Sequence, residues 1–391
     1  MRSLPLIVAL VAPVALVASG CSDGAIPDPD LGSNEVDMAA PAFSLDLDTS
    51  RPGAAGDFKI ISRGGDAVTY QAFPDVTRLA SGDLVAVFYA GTKHISLPSP
   101  DYPRGGRICM TRSTDDGRSW SPPATLFDGP LDDRDPHITQ ISDGTVVVSF
   151  FTYKKNLTGG AALNCLLVTS RDGARTWDTT PTSVAPGFAC SAPVRELRPD
   201  TWLQAVYIEK PRSTPVDAGA PLPNTYAAIA RRVAGSWQDP VPLVSAAGAA
   251  SPLLDGTEAD VIALHDGRLL AVVRSDAQNM QVSTSHDDGK SWSSPADIGF
   301  AGHCPQLTRH SSGVIVLTHR YPQTALHISR DDGQTWEGAY PVDDVIGAYP
   351  TALELLDRTM MVIYYEEGDA SAIRIKRFRL TPTDVEWLSP P

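Results

Sequence analysis

Glu258, Arg274, Arg320 and Tyr349 are side chains that together can hold an anion and carry out a substitution beside it. Two guanidinium forks bind a carboxylate through paired, charge-assisted hydrogen bonds, which the point charge of a lysine does less well. A phenol is a neutral nucleophile, so it escapes the repulsion that an Asp or Glu nucleophile meets next to a bound carboxylate. Its ordinary pKa is about 10, so it needs a base to take its proton, and Glu258 can serve as that base. Asp135 is a fifth ionisable group of the same set. All five lie far apart along the chain, so a repeated architecture has to bring them together.

Two interleaved repeats supply it. The first is an eight-residue element, Ser113-Thr-Asp-Asp-Gly-Arg-Ser-Trp120, which returns at Ser170–Trp177, Ser285–Trp292 and Ser329–Trp336. The copy at 170 has Ala174 where the others have Gly, and Gly235-Ser236-Trp237 is read as the remnant of a decayed copy. The second repeat is a strand, a turn and a strand: Phe73–Tyr89, Asp135–Phe151, Ala192–Ile208, Glu258–Arg274, Cys304–Arg320 and Tyr349–Tyr365. Five of the six copies have Pro in second place and the fourth has Ala259. Apolar β-rich runs on either side of Ser81-Gly82 or Asp266-Gly267 are hairpin signatures. Six such units of about four short strands predict an all-β fold, a six-bladed β-propeller. In each eight-residue element the Gly takes a left-handed backbone, the Asp caps turn amides and the Trp packs between sheets, which is a structural task remote from chemistry.

The eight-residue element resembles the Asp-box of bacterial sialidases (neuraminidases), and the resemblance covers roughly residues 58–385. It is carried further by single segments. Glu258–Arg274 is similar to the sialidase segment that holds the nucleophile's Glu partner and the second Arg of a carboxylate-binding triad. Val314–Arg320 resembles the segment with the third Arg, and Gly347-Ala-Tyr349-Pro stands where that family has its Tyr nucleophile. In a propeller the first residues of the inner strands converge on one mouth of the central channel. Phe73, Asp135, Ala192, Glu258, Cys304 and Tyr349 are those positions here, with Tyr89, Phe151, Ile208, Arg274, Arg320 and Tyr365 at the ends of the second strands. Ionisable groups gathered at one funnel mark a site.

The first repeat departs from the sialidase pattern. Ala72 stands where the resemblance implies the first Arg of the triad. Losing one of three clamps costs about 1.5–3 kcal/mol per charged hydrogen bond. Arg134, two residues before Pro136, has the same register one blade on and is the expected substitute. The resemblance implies an acid/base Asp on the loop after the second strand of blade one. Asp101 is the positional candidate, with His94 and Asp135 as rivals.

The chain has 391 residues and a formal net charge of −14, and no basic footprint for a nucleic acid. Residues 1–21 read as a lipoprotein signal peptide, with Arg2, an apolar stretch from Leu4 to Val17, and Cys21 as the lipid anchor. Residues 22–57 hold eight acids and one Arg and read as a disordered acidic tether, leaving 58–391 for the propeller. The expected location is the cell envelope, anchored to a bacterial membrane and facing the periplasm or exterior. Export allows disulfides among Cys109, Cys165, Cys190 and Cys304 without choosing a pairing. No metal or cofactor is expected, and the chain is expected to be a monomer. The expected function is an exo-glycosidase of sialidase type acting on a terminal acidic sugar of a glycan. The alternatives are a glycan-binding or scaffolding propeller without turnover, and a lyase or neutral-sugar hydrolase on the same fold.

Overall fold

The computed structural model describes residues 57–155, 161–208, 226–243, 256–275, 279–345, 347–368 and 371–391. The signal peptide, Cys21 and nearly all of the tether lie outside the described residues.

Six antiparallel sheets follow one another along the chain as the blades of a propeller. Blade one is Tyr70–Arg78, Leu84–Gly91, Arg107–Ser113 and Ala124–Phe127. Blade two is Asp132–Gln140, Val146–Lys155, Ala161–Ser170 and Thr182–Pro186. In blade three the inner edge is split into Ala189–Cys190 and Arg195–Arg198, ahead of Thr201–Ile208 and Tyr226–Val233. Blade four is Gly256–Ala263, Leu269–Ser275, Gln281–Ser285 and Ala296–Asp297. Blade five is His303–Arg309, Ile315–Arg320, Thr324–Ser329 and Glu337–Asp343. Blade six opens with Gly347–Glu354, Met360–Glu366 and Ala372–Leu380. Its next strand comes from the other end of the chain: Lys59–Ser62 pairs antiparallel with Ala372–Leu380, Lys59 opposite Ile375.

Each apolar run alternates between two neighbours, which is why the strands read as continuous hydrophobic segments. Leu84, Ala86 and Phe88 face blade six, with Met361 and Ile363. Val85 and Val87 face blade two, with Val148 and Phe150. The remaining four seams have clusters of their own, so the core is a set of layers between blades. Phe150 is fully buried in one of them, 4.9 Å from the Phe127 ring.

The eight-residue elements close the outer hairpins as expected. Ser113 Oγ accepts from Gly117 N at 2.9 Å, and Asp115 Oδ1 accepts from Ser119 N at 2.8 Å. The same pattern holds at Ser170 and Asp172, Ser285 and Asp287, and Ser329 and Asp331. Two consecutive left-handed residues make the turn, Asp116 and Gly117 in the first copy and Gly173 and Ala174 in the second. The remnant keeps this device: Ala234 and Gly235 are both left-handed, and Val233 pairs with Ser236 across them.

These turns also lace each blade to the one before it. Asp116 accepts from Leu356 N of blade six at 3.2 Å and from Arg78 at 2.6 Å. Asp288 pairs with Arg198 of blade three at 2.8 Å, and Asp332 accepts from His265 N of blade four at 2.9 Å. Blade two has Gly173 at that position, and Arg112 of blade one donates to the Gly173 and Ala174 carbonyls instead. The four cysteines beyond Cys21 are buried and unbridged.

Candidate functional site

Bulges in the inner strands set the mouth of the channel. Pairing between the first two strands skips Phe73-Pro74, Asp135-Pro136, Cys304-Pro305 and Tyr349-Pro350, and slips likewise before Ala259. Phe73, Asp135, Cys304 and Tyr349 all have positive φ, between 40° and 54°. Non-glycine residues rarely adopt this backbone, and such strain clusters at functional sites. The strands themselves begin up to three residues before the repeats read from sequence, because the bulge sits inside the strand.

The bulges bring together the residues expected to meet. The Tyr349 hydroxyl donates to Glu258 Oε1 at 2.6 Å. Glu258 Oε2 accepts from Arg274 Nη1 at 3.1 Å and from Cys304 N at 2.8 Å. Arg320 Nη2 donates to the Tyr349 oxygen at 3.4 Å, with its guanidinium 4.8 Å from the centre of that ring. Arg320 Nε has no hydrogen-bond partner among the described residues. Burial alone would raise the Glu258 carboxyl, but Arg274, Arg320 and the Tyr349 hydrogen bond outweigh it and hold the group at about 2. Burial first, and Glu258 second, push the Tyr349 phenol well above its ordinary value. At neutral pH the resting pair is therefore a phenol donating to a carboxylate.

Ala72 is fully buried in the seam between blades one and six. Arg134 is buried too, among four aromatic rings: Phe73 at 5.4 Å, Tyr89 at 5.5 Å, Phe151 at 5.8 Å and Tyr153 at 5.9 Å. Its Nη1 is 3.6 Å from Asp132, which is itself held by the Tyr89 hydroxyl and by Ser96 and Gly106 amides. Arg134 Nε and Nη1 make no hydrogen bond among the described residues. Phe73 stands between it and Tyr349, the Phe73 ring meeting Tyr349 edge-on at 4.9 Å. Asp135 is buried, and burial raises its carboxyl to about 7, Arg134 pulling down and Glu258 pushing up.

Asp101 is not brought in. It is exposed, next to the Ser99–Tyr102 turn, and no hydrogen bond or ion pair among the described residues joins it to the Tyr349 cluster. His94, on the same loop, is: its ring meets Phe73 edge-on at 5.3 Å, and its Nδ1 is 3.0 Å from the Tyr70 hydroxyl. Tyr70 and Glu367 were not anticipated from sequence. Glu367 lies just past the end of the sixth repeat, and its position after Tyr364-Tyr365-Glu366 was the available signal.

Below the mouth, Asp75 and Asp260 brace neighbouring blades. Asp75 accepts from Ile138 N of blade two and from Thr351 of blade six. Asp260 accepts from Leu307 N of blade five and pairs with Arg195 of blade three. Among the described residues no group of three or more His, Cys, Asp or Glu is placed to hold a metal ion.

Comparison with known proteins agrees with this architecture. A family model described as a BNR repeat-like domain matches residues 107–354, more than half of the chain. No curated protein sequence matches the chain significantly. Among solved structures, a protein of unknown function from Dyadobacter fermentans is 18% identical with a TM-score of 0.65, covering 84% of this chain and 100% of its own. An alpha-L-arabinanase from Penicillium chrysogenum, complexed with arabinobiose, is 14% identical with a TM-score of 0.61, covering 82% and 97%. The NanB sialidase of Streptococcus pneumoniae is 12% identical with a TM-score of 0.60, covering 83% and 71%. At these identities the likeness is one of fold, and the fold is shared with glycoside hydrolases. The chain belongs to the BNR repeat-like domain family, and its six-bladed propeller shares its fold with the arabinanase and sialidase structures.

Proposed function

We propose that the chain is an exo-glycosidase that cleaves a terminal acidic sugar from a glycan with retention of configuration, held at the cell envelope by a lipid on Cys21. One observation carries the reading: the Tyr349 oxygen donates to Glu258 at 2.6 Å while Arg320 reaches the same oxygen and Arg274 the same carboxylate. Arg274 and Arg320 receive the substrate carboxylate, with Arg134 behind Phe73 adding positive field to the mouth. Tyr349 attacks the anomeric carbon as its proton passes to Glu258 and the bond to the aglycone oxygen breaks, giving a covalent aryl glycoside on Tyr349 that water then hydrolyses. An anion bound by Arg274 and Arg320 offsets the positive field that keeps Glu258 acidic, so Glu258 becomes a better base only with substrate in place.

The test compares the wild type with Tyr349→Phe and Arg274→Ala on fluorogenic acidic glycosides, with the product anomer followed by NMR. Turnover with retention in the wild type and none in Tyr349→Phe is the expected result. Equal rates for all three proteins, or inversion, overturn the mechanism. The buried Ala72 in place of a third clamp favours a second reading, a propeller that binds acidic glycans without turnover. That reading predicts saturable binding by the wild type and no product on long incubation.

A further inference from the structure

Departure of an aglycone needs a proton, and the residue that supplies it is the piece the carboxylate clamp and nucleophile leave unassigned. At the seam of blades one and six, four polar side chains from three segments converge. Tyr70 lies on the inner strand of blade one, His94 on the loop after its second strand, and Tyr365 and Glu367 at the end of the second strand of blade six. Glu367 Oε2 accepts from the Tyr70 hydroxyl at 2.8 Å and from the Tyr365 hydroxyl at 2.9 Å. With its proton committed to Glu367, the Tyr70 oxygen accepts at 3.0 Å from His94 Nδ1, which is also 3.9 Å from the same carboxylate. This chain fixes the tautomer: Nδ1 carries a proton, and no hydrogen bond among the described residues occupies Nε2. The side chain is 38% exposed, so Nε2 can meet a ligand. A single aromatic ring, Phe73, separates the imidazole from the Tyr349 phenol.

We propose that His94, oriented by Tyr70 and Glu367, donates the proton to the departing aglycone oxygen, in place of the Asp that position along the chain suggests. The proposal rests on the hydrolase reading above. In the first half-reaction the Tyr349 oxygen bonds to the anomeric carbon and its proton goes to Glu258. The bond from that carbon to the aglycone oxygen breaks, the oxygen keeps the electron pair, and it takes the Nε2 proton of the His94 imidazolium. In the second half, neutral His94 Nε2 takes a proton from water, the water oxygen displaces the Tyr349 oxygen, and Glu258 returns its proton to the phenolate. The sum is hydrolysis, with every residue restored.

The groups that face His94 set its working range. Burial lowers its pKa below the ordinary 6.5, the Glu367 hydrogen bond opposes that, and Arg134 and Arg320 lower it further. Tyr70 and Phe73 on blade one and Tyr365 on blade six complete its surroundings and stay uncharged. A donor must be protonated, so kcat/KM falls as pH rises through the region below 6.5. Glu258, at about 2, stays ionised throughout that range. Asp135 and Asp133, both raised to about 7 by burial, are buried carboxyls of blade two whose titration overlaps it.

The experiment uses the full chain as wild type, His94→Gln, Glu367→Gln, Asp101→Asn and Asp135→Asn. Each is assayed on two acidic glycosides that differ only in the leaving group, 4-nitrophenol and methanol. A good leaving group needs no proton. His94→Gln is therefore expected to keep 4-nitrophenyl turnover within a few fold, to lose about 10²-fold or more on the methyl glycoside, and to lose the alkaline limb of the pH profile. Glu367→Gln is expected to keep that limb and shift it to lower pH, while Asp101→Asn and Asp135→Asn retain it. Equal losses of His94→Gln on both substrates, an unchanged pH limb, or the leaving-group pattern appearing in Asp101→Asn overturns the proposal while leaving the hydrolase reading intact. A wild type inert on both glycosides overturns the hydrolase reading and the proposal with it.

Discussion

Glu258→Gln tests the electrostatics of the site without reference to any substrate. The Glu258 carboxylate is 3% exposed, and it is the common acceptor for Arg274, the Cys304 amide and the Tyr349 hydroxyl. Its carboxyl is held at about 2 against an ordinary 4.5. That difference corresponds to about 3 kcal/mol of folded-state stability, since each tenfold change in proton affinity is worth about 1.4 kcal/mol. The sign follows from the direction. A depressed carboxyl contributes fully above about 4.5 and loses its contribution as pH falls towards 2. Glutamine keeps the shape and removes the charge, leaving two buried guanidinium groups without their counter-ion, a cost of about 3–5 kcal/mol for a broken buried pair. Urea unfolding of wild type and Glu258→Gln at several pH values between 2 and 7 measures both effects. At neutral pH the variant is expected to be less stable by about 3 kcal/mol, and the gap is expected to close as pH approaches 2. Parallel stability curves across that range would show that Glu258 is not tied to the arginines as described, and the assignment of Glu258 as the base would fall with it.

Arg320→Lys removes a fork that reaches the Tyr349 oxygen and that the proposed function assigns to the substrate carboxylate. One charged hydrogen bond of about 1.5–3 kcal/mol translates into a rise in KM of roughly tenfold to 100-fold, read from initial rates on an acidic glycoside. Ala174→Gly restores the residue found in the other three turns at a position with φ of 62°. Relief of left-handed strain, less the entropy of an added glycine, is expected to raise stability by about 0.5–1 kcal/mol in urea unfolding. Asp116→Ala removes the acceptor that joins Arg78 to the Leu356 amide of blade six, and is expected to cost about 1–3 kcal/mol with kcat unchanged. Phe150→Ala opens a void in the seam between blades one and two and is expected to cost about 3–5 kcal/mol by the same measurement.

The repeats were legible because their signals are local. A hairpin needs only its turn and its apolar runs, and the Asp-box closes on itself within seven residues, so both appear in the sequence unchanged. Register carried the rest: Glu258, Arg274, Arg320 and Tyr349 hold equivalent places in their repeats, and closing the ring makes them neighbours. What escaped depends on pairing across seams. Glu367 meets Tyr70 only because blade six abuts blade one, some 297 residues apart in sequence. The left-handed backbone of Phe73, Asp135, Cys304 and Tyr349 leaves no compositional mark, because proline follows each of them and no glycine announces the bend. The loop candidates were separated by the same means: Asp101 and His94 share a segment, and only the path of that segment brings one of them to the mouth. Arg134 matched the register of a clamp, yet its surroundings of four rings follow from residues contributed by two blades.

The strand Lys59–Ser62 belongs to the beginning of the polypeptide by synthesis and to the last sheet by hydrogen bonding. The toroid is thus an open spiral until Ala372–Leu380 has left the ribosome, and only then can its clasp fasten. Tyr70, His94 and Glu367 straddle that same joint. Any activity that needs them waits for that seam to close, so a product cut short before Glu367 would keep Glu258, Arg274, Arg320 and Tyr349 but lack the carboxylate that Tyr70 meets.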